Sequence, residues 1–130
     1  MMSNERYTKQ VIVIRKDLKM RRGKEIAQGS HASMAFLTRQ LQSGHTTTVQ
    51  LSDEAREWME KHFTKVCLQA ESEAELVDIY EKAKEKGLEV HLITDSGRTE
   101  FNGVPTKTCL AIGPNYADRI DEVTSHLKLY

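Results

Sequence analysis

No apolar run in this sequence is longer than Val11 to Ile14. A membrane-crossing helix needs about 20 such residues, so none is expected. The first ten residues, MMSNERYTKQ, lack the apolar stretch of a secretory signal, which points to a cytoplasmic protein. Cysteine is scarce: Cys67 and Cys109 lie far apart, with no C-x-x-C and no His at ligand spacing, so both read as small buried hydrophobes. His45, His62, His91 and His126 are scattered without an H-x-x-x-H pair, and no metal cofactor is expected. RRGKEIAQGS and SGRTEFNG have the spacing of neither a dinucleotide-binding glycine loop nor a Walker loop. No aromatic side chains flank the basic residues, so stacking on single-stranded bases is not indicated. Repeats and low-complexity segments are absent. At 130 residues the chain is expected to form one domain, residues 1–130.

Net charge is also absent, but the zero conceals an uneven distribution. Residues 1–50 carry nine Lys and Arg against three Asp and Glu, whereas residues 51–100 carry seven against thirteen. One part of the chain can therefore attract a polyanion while the whole stays neutral. Within the first part, RKDLKMRRGK places six basic side chains in ten positions, Arg15 to Lys24.

QVIVIR, Gln10 to Arg15, is a β-branched run of the kind found in a strand covered on both faces, and should be central. From about Gly23 to Gly44 the spacing of Ile26, Ser30, Met34, Leu37 and Leu41 predicts the apolar stripe of a helix. Lys24, Gln28 and His31 share a second face of it. A polar connection, SGHTTTVQL, leads to a short helix in SDEAREWMEKHF with Ser52 as N-cap, packed down by Trp58. KVCLQA is a second strand. The next helix opens on a Ser72/Glu75 capping box, presents Leu76, Val77, Tyr80 and Ala83, and stops at Gly87.

EVHLIT and TKTCLAI read as the third and fourth strands, joined by residues 95–105 without a helical pattern, so the last strand is expected to be antiparallel. A closing helix has Asn115 as N-cap and Ile120, Val123 and Leu127 as its apolar face. The expected fold is α/β: a three-layer sandwich around a four-stranded mixed sheet.

If the first and third strands run parallel, the loops that follow them emerge at one sheet edge. Lys16 to Gly23, Lys24, Asp95, Arg98 and Thr99 would then meet in one cleft. Such a cleft suits a substrate with phosphates and a carbonyl to be attacked: Arg and Lys hold phosphate oxygens, a carboxylate or His orients water, and Lys or a hydroxyl stabilises an oxyanion. Each part also has a purely structural reading: a solvated basic loop, a helix-surface His31, and an Asp95 that favours the Ser96–Gly97 turn.

Four blocks carry a resemblance: D-L-K-M-x-x-G-K-x-x-A-Q-x-x-H-A from Asp17, D-x-G-x-T from Asp95, T-x-x-x-I-G-P at the strand end, and the closing H-L-K-L-Y. In this order they are similar to the type 2 peptidyl-tRNA hydrolase family. The resemblance implies a mixed four-stranded fold, a homodimer, no metal or other cofactor, and hydrolysis of the ester between a peptide and the 3′ end of a tRNA. Carried over position by position, it picks out Lys19, Lys24, Gln28, His31, Asp95, Thr99 and Thr106.

Lys24, Asp95, His31 and Thr99 are then expected to be catalytic. Asp95 and His31 compete for the role of general base, and Lys24 serves the carbonyl oxygen. Lys19, Arg21, Arg22, Gln28, Arg98 and Thr106 are expected to hold substrate, chiefly the acceptor end and phosphate backbone of peptidyl-tRNA. Two departures from the family pattern stand out. Ser96 replaces the usual Ala, and Ser43 to Lys65 is a longer, more helical stretch placed to narrow the cleft, alter the dimer contact or serve another substrate. The rivals to the hydrolase are a non-catalytic tRNA-binding or adaptor module on the same fold, and an esterase or amidase for something smaller.

Overall fold

The computed structural model describes residues 6–44 and 47–130; His45 and the first five residues lie outside them. In chain order the elements are β1 (Thr8–Arg15), a 3₁₀ turn (Lys16–Leu18), α1 (Arg22–Ser43), α2 (Asp53–Glu57) continued by a wider turn (Trp58–His62), β2 (Lys65–Ala70), α3 (Glu73–Glu85), β3 (Val90–Asp95), a tight turn (Phe101–Gly103), β4 (Thr106–Tyr116) and α4 (Ala117–Thr124). The sheet order is β2-β1-β4-β3. β1 and β2 are parallel, and β4 runs antiparallel to both of its neighbours. β1, β2 and β3 therefore share one direction, and the expected antiparallel last strand sits between β1 and β3.

β1 is covered on both faces, as its β-branched run predicts. Val11 and Val13 join Leu76, Ile79, Ala83, Ile120 and Val123 beneath α3 and α4. Ile12 and Ile14 join Ala32, Cys109 and Ala111 beneath α1. These are the three expected layers. Ser52 and Ser72 cap α2 and α3 by accepting from the backbone N–H of Ala55 and Glu75, each at 3.1 Å. Glu75 reaches back to the N–H of Glu71, one residue before the capping-box position.

Several sequence expectations change. The buried face of α1 is Gln28, Gly29, Ala32, Ala35 and Phe36. Ile26, Ser30, Met34 and Leu41 face outward, and only Leu37 of the expected stripe packs inward, against Phe36 and Trp58. Gly29, Ala32 and Ala35 let the helix lie close on the sheet, while Ile26 and Met34 are left outside. On α3, Ile79 is buried with Leu76 and Ala83, while Val77 is only partly covered. β4 runs to Tyr116, so Asn115 is paired in the sheet with Lys9 and is not the cap of α4. Leu127 lies beyond α4 but still packs on the core. Cys67 is exposed because it sits on the edge strand β2, on the face that α1 leaves open.

The described residues from Gln50 to Lys65 do not narrow a cleft at the carboxyl ends of the strands. Trp58 packs on Phe36 and donates from Nε1 to the Thr64 carbonyl (2.7 Å), which also accepts from the N–H of Gln10 at the start of β1. The segment thus closes the opposite end of the sheet. Trp58 is 2% exposed. Replacing it with Ala should lower the unfolding free energy by about 3–5 kcal/mol, read from urea denaturation. A loss of under about 1 kcal/mol would mean that the site collapses around the smaller side chain.

Candidate active site

Because β1 and β3 run the same way, Arg15 and Asp95 end their strands at one edge of the sheet. Arg15 is consumed locally: Nε and Nη2 donate to the two carboxylate oxygens of Asp17 (3.1 and 2.6 Å), and Nη1 to the Lys107 carbonyl on β4 (3.0 Å). This fork ties down the start of the basic loop. Lys19 ends the 3₁₀ turn in a left-handed conformation (φ 52°) and is exposed, whereas Met20 is buried beneath the loop. The chain then enters α1 at Arg21.

One turn into α1, Lys24 Nζ donates to Asp95 Oδ1 at 2.8 Å and to Thr99 Oγ1 at 2.9 Å. The side chains of Lys24 and Asp95 are 15% and 10% exposed, so the pair is largely shielded from water. Gln28, one helical turn further, donates from Nε2 to the same Oδ1 at 3.2 Å and accepts from the Thr108 hydroxyl. The other carboxylate oxygen accepts from the Gly97 N–H at 2.8 Å. Gly97 has φ +84°, and a Cβ there would stand 2.4 Å from the Val104 carbonyl oxygen, so the turn that presents this N–H requires glycine.

The Lys24 ammonium, donating to Asp95, holds that carboxyl below its ordinary range. Partial burial opposes the shift, and the Gly97 N–H assists it. Beneath the site, burial pushes the Cys109 thiol up to about 11, and its Sγ donates to the Gln28 carbonyl at 3.3 Å. Cys109 is therefore a packed thiol and not a nucleophile. In front lies a recess of about 400 Å³ lined by Arg21, Gly23, Lys24, Thr99 and Glu100. Its chemistry is that of a fixed ammonium beside an ionised carboxylate, with Arg21 and Glu100 also in the lining.

The structure brings Lys24, Asp95, Thr99 and Gln28 into one hydrogen-bonded cluster, with His31 on the same flank of α1. Arg98 is exposed on the loop after β3. Thr106 lies opposite Asp95 in the sheet and donates to the Val104 carbonyl (2.8 Å). Two residues sit differently from expectation. Gln28 is 3% exposed, with its amide bonded to Thr108 and Asp95. Arg22 lines a groove on the opposite flank of α1, because adjacent helical residues diverge by about 100°. Thr108, Gly97 and Glu100 were not singled out by sequence reasoning. Thr108 is the first residue of T-x-x-x-I-G-P, which was the available signal; nothing in the pattern marked Glu100.

The α/β sheet thus places a shielded Lys–Asp pair at the carboxyl ends of its strands, an arrangement able to meet a substrate carbonyl oxygen. The sequence from residue 8 to 130 matches the family model described as Peptidyl-tRNA hydrolase PTH2, and the chain belongs to that family. A protein of Methanocaldococcus jannaschii named peptidyl-tRNA hydrolase is 41% identical over 122 residues, 93% of this chain and 98% of that one. One of Methanopyrus kandleri with the same name is 41% identical over 121 residues, covering 93% and 97%. Peptidyl-tRNA hydrolase 2, mitochondrial, of Bos taurus is 42% identical over 122 residues, 94% of this chain but 64% of its own length.

The electrostatics can be checked directly. A carboxyl held low in the folded state contributes stability above its unfolded pKa, and that stability is lost as pH falls through the folded value. In a Lys24→Met variant the Asp95 titration, followed by carboxyl-carbon NMR, should move to higher pH, and acid unfolding should begin at higher pH. An unmoved titration would show that Lys24 does not hold the carboxylate ionised.

Proposed function

We propose that this chain hydrolyses the ester linking a peptide to the 3′ end of a tRNA, with the cluster around Lys24 and Asp95 as its catalytic centre. The observation that carries the reading is the ammonium of Lys24, fixed by Asp95 and Thr99 in a recess that Arg21 also lines. Two of its three protons are engaged, and the third is free for an ester carbonyl oxygen. Negative charge that develops on that oxygen as water attacks meets a cation that needs no rearrangement. Water oxygen bonds to the carbonyl carbon, the bond to the 3′ oxygen breaks, and the tRNA hydroxyl takes up a proton as it leaves.

Asp95 serves this step by keeping Lys24 charged and aimed. Its lowered pKa makes it a weak base, so we assign acceptance of the water proton to His31. Thr99 places the ammonium, and the Thr108–Gln28 relay places Asp95. Lys19, Arg21 and Arg98, all exposed, hold acceptor-end phosphates, while Thr106 braces the strand end beneath Asp95. Lys24→Ala and Asp95→Asn should each reduce kcat by about 10²–10³-fold, the usual effect of losing one preorganised donor to an oxyanion. Peptide release from peptidyl-tRNA is the measurement. Wild-type turnover in both variants would overturn the site, and salt-sensitive tRNA binding without turnover by the wild type would overturn the enzyme in favour of a binding module.

The same proposal includes a cytoplasmic homodimer. Both thiols are free, which suits a reducing compartment. Among the described residues no helix is long and apolar enough to cross a membrane. A groove of about 500 Å³ between α1 and β2 is lined by Ile12, Ile14, Ile26, Met34, Cys67 and Tyr130, and Ile26 and Met34 are 65% and 54% exposed. Its lining also carries Arg22, Lys65 and Glu25, charges of both signs that a two-fold related copy can match. Light scattering should give twice the chain mass for the wild type and the chain mass for Met34→Glu; a monomeric wild type would overturn the pairing.

A further inference from the structure

Opposite Lys24, the recess is bounded by an ion pair that the catalytic step does not use. Arg21, at the entrance to α1, donates from Nε to Glu100 Oε1 at 2.9 Å, joining the loop after β1 to the loop after β3. The side chain of Arg21 is 81% exposed and that of Glu100 only 18%. The contact is a single bond made at the solvent boundary, so it is weak and easily exchanged. It also stands next to Thr99, whose hydroxyl accepts from Lys24. Two consecutive residues of one loop are thus tied to one helix end: Thr99 to Lys24 and Glu100 to Arg21.

We propose that the Arg21–Glu100 pair is a latch across the mouth of the recess, opened by a phosphate group of the substrate that takes the place of the Glu100 carboxylate at Arg21. The inference rests on the peptidyl-tRNA reading above and adds a specificity-determining residue to it. Glu100 takes a single bond from the Arg21 guanidinium, whereas a phosphate group can accept from two of its nitrogens at once. The latch therefore sets how tightly phosphate-bearing substrates are held and discriminates against uncharged esters, which gain nothing by opening it.

The test is a double-mutant cycle on the full chain, with Arg21→Ala, Glu100→Gln and the two combined. Glu100→Gln should lower KM for peptidyl-tRNA by about two- to fivefold, the range an exposed ion pair supports. Arg21→Ala should raise KM, and adding Glu100→Gln to it should change nothing further. A raised or unchanged KM in Glu100→Gln overturns the latch, because Glu100 would then orient Arg21 or be idle. An equal gain in the Arg21→Ala background overturns it too, since Glu100 would act by repulsion alone. Binding of deacylated tRNA by fluorescence anisotropy, measured on the same four proteins, should follow the same cycle. If none of them hydrolyses peptidyl-tRNA, the functional reading fails while the binding cycle still decides the latch; if none binds tRNA, both fail.

Discussion

The Lys24–Asp95 ion pair is the contact on which the arrangement of the site depends. Its members are 71 positions apart, on the first turn of α1 and the last residue of β3, and meet at 2.8 Å. They can meet because β4 is antiparallel and lies between β1 and β3, which leaves the other strands pointing one way and brings two loops to one edge. A pair so shielded is not a stability device on its own, because desolvating two charges offsets most of their attraction. The further donors from Gly97 and Gln28 satisfy the carboxylate, and together they fix its position to within the tolerance a preorganised site needs.

α1 begins in a way that helices α2 and α3 do not. Those two are capped by the side chains of Ser52 and Ser72. α1 starts at Arg21 with no side-chain cap and places Arg22 and Lys24 at the positive end of the helix dipole. Basic residues there are unfavourable for the isolated helix. The free N–H groups and the cations make the end attractive to anions instead, and the break in local consistency falls at the functional site.

Local signals were readable in the sequence because their causes are local. Ser52, Ser72 and Gly87 mark helix boundaries through backbone hydrogen bonds within a few residues, and the β-branched run of β1 records a strand covered on both faces. Lys24, Asp95 and Thr99 could be brought to one edge once strand directions were inferred from connection types. What was lost depends on tertiary distance. Asn115 looks like a cap but is held in the sheet by its pairing with Lys9. Cys67 resembles Cys109 in its run, yet lies on an edge strand beyond the reach of α1. Thr108 and Thr106 both belong to the strand, and only the placement of Gln28 distinguishes them. Glu100 has meaning only beside Arg21.

The inward face of α1 joins these observations. Gly29, Ala32 and Ala35 are small, and a Cβ at Gly29 would stand 3.9 Å from Ile12 and Ile14. The small side chains let the helix lie directly on the sheet at this point. Larger residues on that face would lift the helix, and a Lys stem of fixed length would then lose either Asp95 or Thr99. The spacing that serves the site thus excludes Ile26 and Met34 from the core, so the exposed apolar flank follows from the geometry of the opposite one. A sequence reading that sends the largest apolar side chains inward must choose the wrong stripe here, because the constraint comes from a contact made by the neighbouring polar face.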